Sequence, residues 1–414
     1  MEMGLFRVRR KQKGLTLVVM TLAMVLFIAV GAFSVDVSHF VVNKTRLQNA
    51  LDSAALAGAS VAKSIKEESF TQSAIIESYK KVISASGNEE IALADSDDGS
   101  SLNSLTIQYS TTPNGGFSGT FPSSTTDPIF VRVQVVDLSL TSYFLDVFNV
   151  SKNVSASSVA GPASVASTAN ILPIGMCEGD EAGPSGYSPG TVYELKTGSQ
   201  SDDPNGLGAG NYHLLDMGSG KSAVSDALVG KNTVVVTIEE KIDSETGNAV
   251  GATKSIDSRF TGETLDGVYY PKDLIVTEPS PAITTDNIDD YNSSNDPGKW
   301  TYDDYVYDTK QCLKDPNCLD PLASKWRRVL PVPILDCDSA SKSGGKIEFT
   351  VTSIGCFFMI QRYDSSQANG KKGQQSIFGE FVDHCSVVEG GLSNTDTGVD
   401  RIVLFKDPSS VGGS

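Results

Sequence analysis

Hydrophobic and polar positions divide this chain into stretches of different period. From Leu15 to Val35 no charge occurs in 21 residues, LTLVVMTLAMVLFIAVGAFSV. At a helical rise of about 1.5 Å per residue this run covers roughly 31 Å, the thickness of a hydrocarbon core, so it reads as a transmembrane helix. Beyond it, Val37, Phe40, Leu47, Leu51, Ala54 and Val61 fall on a seven-residue repeat that Lys44 and Gly58 complete less favourably. Apolar residues three and four apart make one helical stripe, so the helix is predicted to continue past the span and pack on a folded head. Ala50, Ala54, Ala55, Ala57, Gly58, Ala59 and Ala62 keep that surface thin, which lets another backbone come close.

The period then changes. Lys66 to Ser84 is helix-compatible, with Phe70, Ile75, Tyr79 and Val82 roughly on one side and Ser86-Gly87-Asn88 as a stop. Leu105–Tyr109 and Ile129–Val136 alternate as strands do, across a connection rich in Gly, Pro, Ser and Thr. Ser142–Phe148 is a short apolar helix candidate, and Asn153–Val159 a returning strand. From residue 169 to 405 long helical periods are absent and strands recur, most clearly at Val234–Ile238, Lys346–Thr352, Cys356–Ile360 and Arg401–Phe405. Residues 199–210 and 278–299 read as polar or acidic loops. The expected fold class is α+β: a single N-terminal transmembrane helix that continues into a helix on a small antiparallel sheet, followed by a β-rich domain. The expected divisions are a basic segment 1–14, the span 15–35, the helix and sheet 36–168, the β-rich domain 169–405 and a flexible tail 406–414.

Charge gives the span a direction. Residues 1–14 hold Arg7, Arg9, Arg10, Lys11 and Lys13 against Glu2, a net of +4, and the other 400 residues carry −21. Basic residues confined to one flank place residues 1–14 in the cytoplasm and the bulk of the chain outside it. A cleaved secretory signal is the competing reading, since Ala32-Phe33-Ser34 has a small-x-small form. The apolar run exceeds the 7–15 residues of a signal's core, however, and the sequence after it continues as helix. An acidic head repels phosphate backbones and anionic lipid heads, which argues against nucleic acid and electrostatic adsorption to membranes as partners.

All six cysteines follow the span, an even number that suggests up to three disulfides in an oxidising compartment. Cys312 and Cys318 are the one pair expected, because Asp315-Pro316-Asn317 can turn the chain between them. Zinc would need cysteines or histidines at matched short spacing, whereas no Cys-x-x-Cys occurs and His39, His213 and His384 are scattered. Asp95-Ser-Asp97-Asp98-Gly99 lacks the later bidentate glutamate of a calcium loop. Gly186-Tyr-Ser188-Pro189-Gly190 has the form of a nucleophile elbow, but Pro189 has no N–H to give an oxyanion. Gly218-Ser-Gly220-Lys221-Ser222 resembles the end of a phosphate loop, yet Leu215 stands where the opening glycine belongs. His384 lies between Asp383 and Cys385, but neighbours in a strand face opposite ways and form no relay. No catalytic, cofactor-binding or metal-ligating residue is assigned. Pro173-Ile-Gly-Met-Cys177 and Pro333-Ile-Leu-Asp-Cys337 share a Pro-Ile-x-x-Cys form, too short to establish a duplication.

The order of basic cluster, Gly14, apolar helix, Val35-Asp36-Val37-Ser38 and then Arg46-LQNALDSAALA-Gly58 resembles the N-terminal segment of TadG-like proteins. These belong to the tight-adherence (Tad), or Flp, pilus-assembly systems of bacteria. The resemblance covers about residues 8–62 and implies an inner-membrane, pilin-like structural or assembly component, with other pilus-assembly or secretion proteins and pilin subunits as partners. The stripe from Val37 to Val61 would be its packing and assembly face. A processed pilin would carry glutamate five residues after Gly14, where this chain has Val19, so a permanent anchor is implied rather than a polymerising subunit. The metal-dependent adhesion domain of some relatives needs an Asp-x-Ser-x-Ser motif, and after Asp36-Val-Ser38 comes His39-Phe40. An exported adhesin or receptor on a tether is the alternative, and an envelope hydrolase acting through Ser188 the least supported.

Overall fold

A computed structural model describes residues 15–95, 102–123, 127–148, 150–169, 171–181, 184–196, 214–218, 220–231, 234–245, 249–293, 299–343, 346–363, 376–383, 385–393 and 395–409. The basic segment 1–14, the loop 199–210, Asp97, Asp98, His213 and His384 lie outside the described residues. The fold is α+β, and two compact units divide the chain: Met1–Gly161 with Val403–Ser414, and Pro162–Ile402.

In the first unit the apolar run and the striped segment form one helix, α1 (Leu15–Ile65), of 51 residues. Its large apolar side chains from Leu17 to Val35 are exposed, and from Asp36 onward one side is buried. The helix stops where Lys66 takes a positive φ of 52°. Helix α2 (Glu68–Ile83) then runs back along it, burying Ile75, Ile76 and Tyr79. A Cβ on Gly58 would stand 2.5 Å from Ile75 Cγ1, so the glycine that weakens the apolar repeat is what lets the two helices close.

Strands β1 (Leu105–Ser110), β2 (Phe130–Leu140) and β3 (Lys152–Thr168) form an antiparallel meander, with Ile107 opposite Val133 and Val133 opposite Ser158. Val131, Val133 and Val135 are buried on one face, and Val131 lies over Gly58 of α1. Gln48 Nε2 donates to Ser157 O at 3.0 Å, pinning α1 to β3. On β2, Arg132 Nε donates to Asp407 Oδ2 at 2.8 Å, and the Phe130 ring meets Phe405 edge-on at 5.3 Å. Asp407, in the stretch read as a tail, is therefore buried, while residues 410–414 lie outside the described residues.

In the second unit the short strands β4 (Met176–Cys177), β5 (Val192–Lys196), β6 (Val236–Thr237) and β7 (Lys241–Asp243) accompany two long ones, β8 (Val329–Ser343) and β9 (Lys346–Met359), and the six-residue β10 (Ile377–Val382). Among the described residues the main sheet runs β4-β8-β9-β10-β5, with β7 also on β9. Lys346–Thr352 and Cys356–Ile360, read as two strands, are one. Its second half is buried on both faces, with Phe358 in one apolar cluster and Phe357 in another. The two longest helices described in this unit, α3 (Lys221–Val229) and α4 (Tyr302–Lys314), lie where no helical period was visible, and a short helical stretch, Ile288–Ser293, falls within the 278–299 segment read as a loop.

Arg328, just before β8, is fully buried at the centre of this unit. Nε donates to Met359 O at 2.8 Å, Nη1 to Ile275 O and Thr277 O at 3.0 Å each, and Nη2 to Ile360 O at 2.7 Å. The rings of Phe260, Phe358 and Trp300 lie 4.3, 4.7 and 5.0 Å from its guanidinium carbon, a cation–π cage. Burial pulls the guanidinium down to about 10, so it remains a cation at neutral pH.

The cysteines pair as Cys177–Cys337, Cys312–Cys318 and Cys356–Cys385. The Pro-Ile-x-x-Cys echo acquires a structural meaning: Met176 and Cys177 of β4 run parallel to Ile334 and Leu335 of β8, and the disulfide joins the ends of the two copies. Cys312 and Cys318 close the end of α4 and the turn that follows. Because that loop is short, replacing both with serine should cost only about 2 kcal/mol in urea unfolding. A larger loss would mean that the bridge does more than close the turn.

Glu380 of β10 is buried and accepts the Tyr302 N–H at 2.8 Å. Burial, with smaller additions from Asp303 and Asp304, pushes its carboxyl up to about 7 from 4.5. The folded state then binds the proton more tightly than the unfolded chain, so stability falls as pH rises between these values. The total is at most about 3 kcal/mol. Glu380→Gln keeps the acceptor and removes the charge. Unfolding midpoints of this variant should be flatter between pH 5 and 8, and higher than wild type at pH 8.

Candidate functional site at the helix exit

The first polar group after the apolar run is Asp36, and the structure buries it completely. A carboxylate at this level of a helix must be satisfied within the protein, because desolvation without partners is costly. Asp36 Oδ1 accepts the Tyr143 N–H at 2.9 Å, and Oδ2 accepts those of Phe144 and Leu145 at 2.8 and 2.9 Å. Lys152 Nζ, at the start of β3, completes the set at 3.1 Å from Oδ1. The three donors open a 3₁₀ turn, Leu145–Phe148, within the segment read as a short apolar helix. The Tyr143 N–H above all, then those of Phe144 and Leu145 and the Lys152 ammonium, hold the carboxyl well below the usual carboxylate range against the opposing effect of burial.

The network continues along α1. Lys152 Nζ lies 3.0 Å from His39 Nδ1, which must accept because an ammonium can only donate. The ring proton then sits on Nε2, 3.0 Å from Glu90 Oε2. Asn43 Nδ2 also reaches Glu90, at 3.2 Å. Asp36, His39 and Asn43 are spaced three and four apart, so one helix face carries the set. Lower down, Arg46 donates to Gly87 O beyond the end of α2.

The residues of the sequence-derived stripe are placed as follows. Leu47, Leu51 and Ala54 are fully buried, Phe40 and Val61 are half-buried, and Val37 is exposed. Just past the apolar run the buried positions are Asp36 and Asn43, each one residue before the apolar pattern's Val37 and Lys44. Hydropathy cannot find a polar residue that is buried because it is paired. The only local sign is that Asp36 is the first charge after 21 uncharged residues.

Ser188 of the elbow-like motif contacts Glu181, and its N–H donates to the Tyr193 hydroxyl at 3.0 Å, so it is held in a polar turn. Gly220 precedes α3 with a φ of 73°, a turn geometry that glycine favours. Among the described residues no group of three or more His, Cys, Asp or Glu could hold a metal ion.

The helix is long and apolar enough to cross a membrane. Residues 14–61 match the family model of the Flp pilus-assembly TadE/G-like proteins (Tad). Neither the curated proteins nor the solved structures contain a match to the chain.

Proposed function

We propose that this chain, whose first helix is TadE/G-like, is a membrane-anchored structural and assembly component of a Tad/Flp (type IV-like) pilus or secretion system. The observation that carries the reading is the unbroken helix Leu15–Ile65: exposed and apolar through the span, then buried on one side by its own head. An anchor that runs into the head as one rod transmits the position of one to the other. The basic residues before Leu15 put that end in the cytoplasm and the head in the periplasm, where three disulfides are chemically at home. Leu47, Leu51 and Ala54 are taken up by the chain's own α2 and sheet, which favours a fixed component over a subunit that polymerises through this face. Pilus-assembly proteins and pilin subunits would then meet the remaining surface of the head.

Deleting the gene and restoring it on a plasmid tests the role. An assembly component predicts loss of surface filaments, regained with the full chain and not with one lacking residues 1–35. Filaments that persist but fail to attach would instead support a tethered adhesin.

A further inference from the structure

Two surfaces of the first unit stay apolar beyond the end of the span. On α1, Val37, Val41 and Val42 are exposed. Leu15 to Val42 is about 42 Å of helix, which exceeds a hydrocarbon core of about 30 Å and matches a bilayer with its headgroup zones. The second surface is the turn fixed to Asp36. Its backbone N–H groups are committed to that carboxylate at 2.8–2.9 Å, while the side chains of Tyr143 and Phe144 are 54% and 45% exposed. Val150, at the far end of the same connection, is 48% exposed. The Tyr143 ring is braced by His39, edge-on at 5.1 Å, and by Lys152 Nζ at 5.5 Å from its centroid.

We propose that this turn is a second membrane contact, with Tyr143, Phe144 and Val150 seated in the headgroup–acyl boundary of the bilayer that residues 15–35 cross. The inference rests on the anchor reading above. Depth decides the occupant: Asp36 directly follows the last residue of the span, and the turn is hydrogen-bonded to it, so the aromatic pair sits at the level where the helix leaves the hydrocarbon. Tyrosine favours that level because its ring is apolar and its hydroxyl remains wet. The contact is apolar and tethered, so the acidity that opposes electrostatic adsorption of the head does not oppose it. The Asp146 and Lys44 side chains are exposed, and the contact requires both charges to face water. A single spanning helix can tilt in the bilayer and carry its head with it, whereas two contacts fix that tilt.

Full-length protein in phosphatidylethanolamine–phosphatidylglycerol vesicles, with Tyr143→Trp or Phe144→Trp, tests this against wild type, whose Trp300 and Trp326 emission is subtracted. The added tryptophan should emit to the blue of an exposed one. It should be quenched more by lipids brominated near the headgroup than by lipids brominated at the chain end. Phe27→Trp, in mid-span, should show the reverse order. If Phe27→Trp is quenched and neither turn variant is, the second contact is wrong and the anchor stands. If Phe27→Trp is not quenched either, both fall.

Discussion

Asp36→Ala is expected to release the 143–145 turn from the helix and lower the thermal midpoint of the first unit by about 10 °C. The substitution removes one carboxylate and strands four donors: three backbone N–H groups of the 143–145 turn and the buried Lys152 ammonium. Alanine offers no acceptor, and water reaches the site only if the turn opens. Lys152 keeps His39 Nδ1, which can accept its hydrogen bond but supplies no negative charge. Asp36→Asn can still accept N–H donors but carries no charge, so its loss should be smaller. Asp36→Asn with Lys152→Met removes both charges and should be less damaging than Asp36→Ala. Because the Asp36 carboxyl is held below its ordinary value, its contribution is full above the unfolded value near 4 and disappears only as pH falls through the folded one. The Asp36 carboxyl itself therefore adds no pH dependence between pH 5 and pH 8 to the gap between wild type and Asp36→Ala. Proteolysis of full-length protein in vesicles supplies the local readout: cleavage between residues 141 and 151 should appear in Asp36→Ala and be absent from wild type.

Arg328→Met should cost the second unit roughly 3–5 kcal/mol. Methionine fills much of the volume, so the loss is polar. The carbonyls of Met359, Ile275, Thr277 and Ile360 lose their donor inside the core. Asp273 loses a cation that helps to hold its charge. This buried carboxylate accepts the Arg328 backbone N–H at 3.0 Å, which methionine keeps, and the Tyr305 hydroxyl at 2.9 Å. Burial already raises its carboxyl, and removing the cation beside it raises it further. Arg328→Lys is no rescue, since a single ammonium cannot span four carbonyls set by a planar fork. Urea unfolding should give a lower midpoint at unchanged slope for both variants. A near-neutral Arg328→Met would mean that the carbonyls find other donors.

These two sites also mark the limit of what the sequence makes legible. The span, the helix beyond it, α2 and strands β1, β2 and β9 rest on local periodicity, and their residues can be read in a window of a few turns. Asp36 and Lys152 are 116 residues apart, and neither departs from a pattern until the other is beside it. Arg328 likewise stands beside Arg327 with nothing in the sequence to mark it as the one at the centre of a buried network. Helix α4 buries Tyr305, Thr309 and Cys312, a stripe too polar to register as apolar. Its local sign is a capping box, with Thr301 and Asp304 each receiving the other's backbone N–H. Pro331 and Pro333 argue by pattern against the strand that holds them. They are tolerated because β4 pairs β8 only at Ile334 and Leu335.

The central claim is that Leu15–Val35 stays in the bilayer and is continuous with the helix that carries the head. Fractionating cells that express the full chain, extracting the membranes at alkaline pH and sequencing the N-terminus of the mature protein tests it directly. The account predicts a chain that remains in the pellet and still carries residues 15–35. Mature protein in the soluble fraction, beginning near Val35, would contradict it.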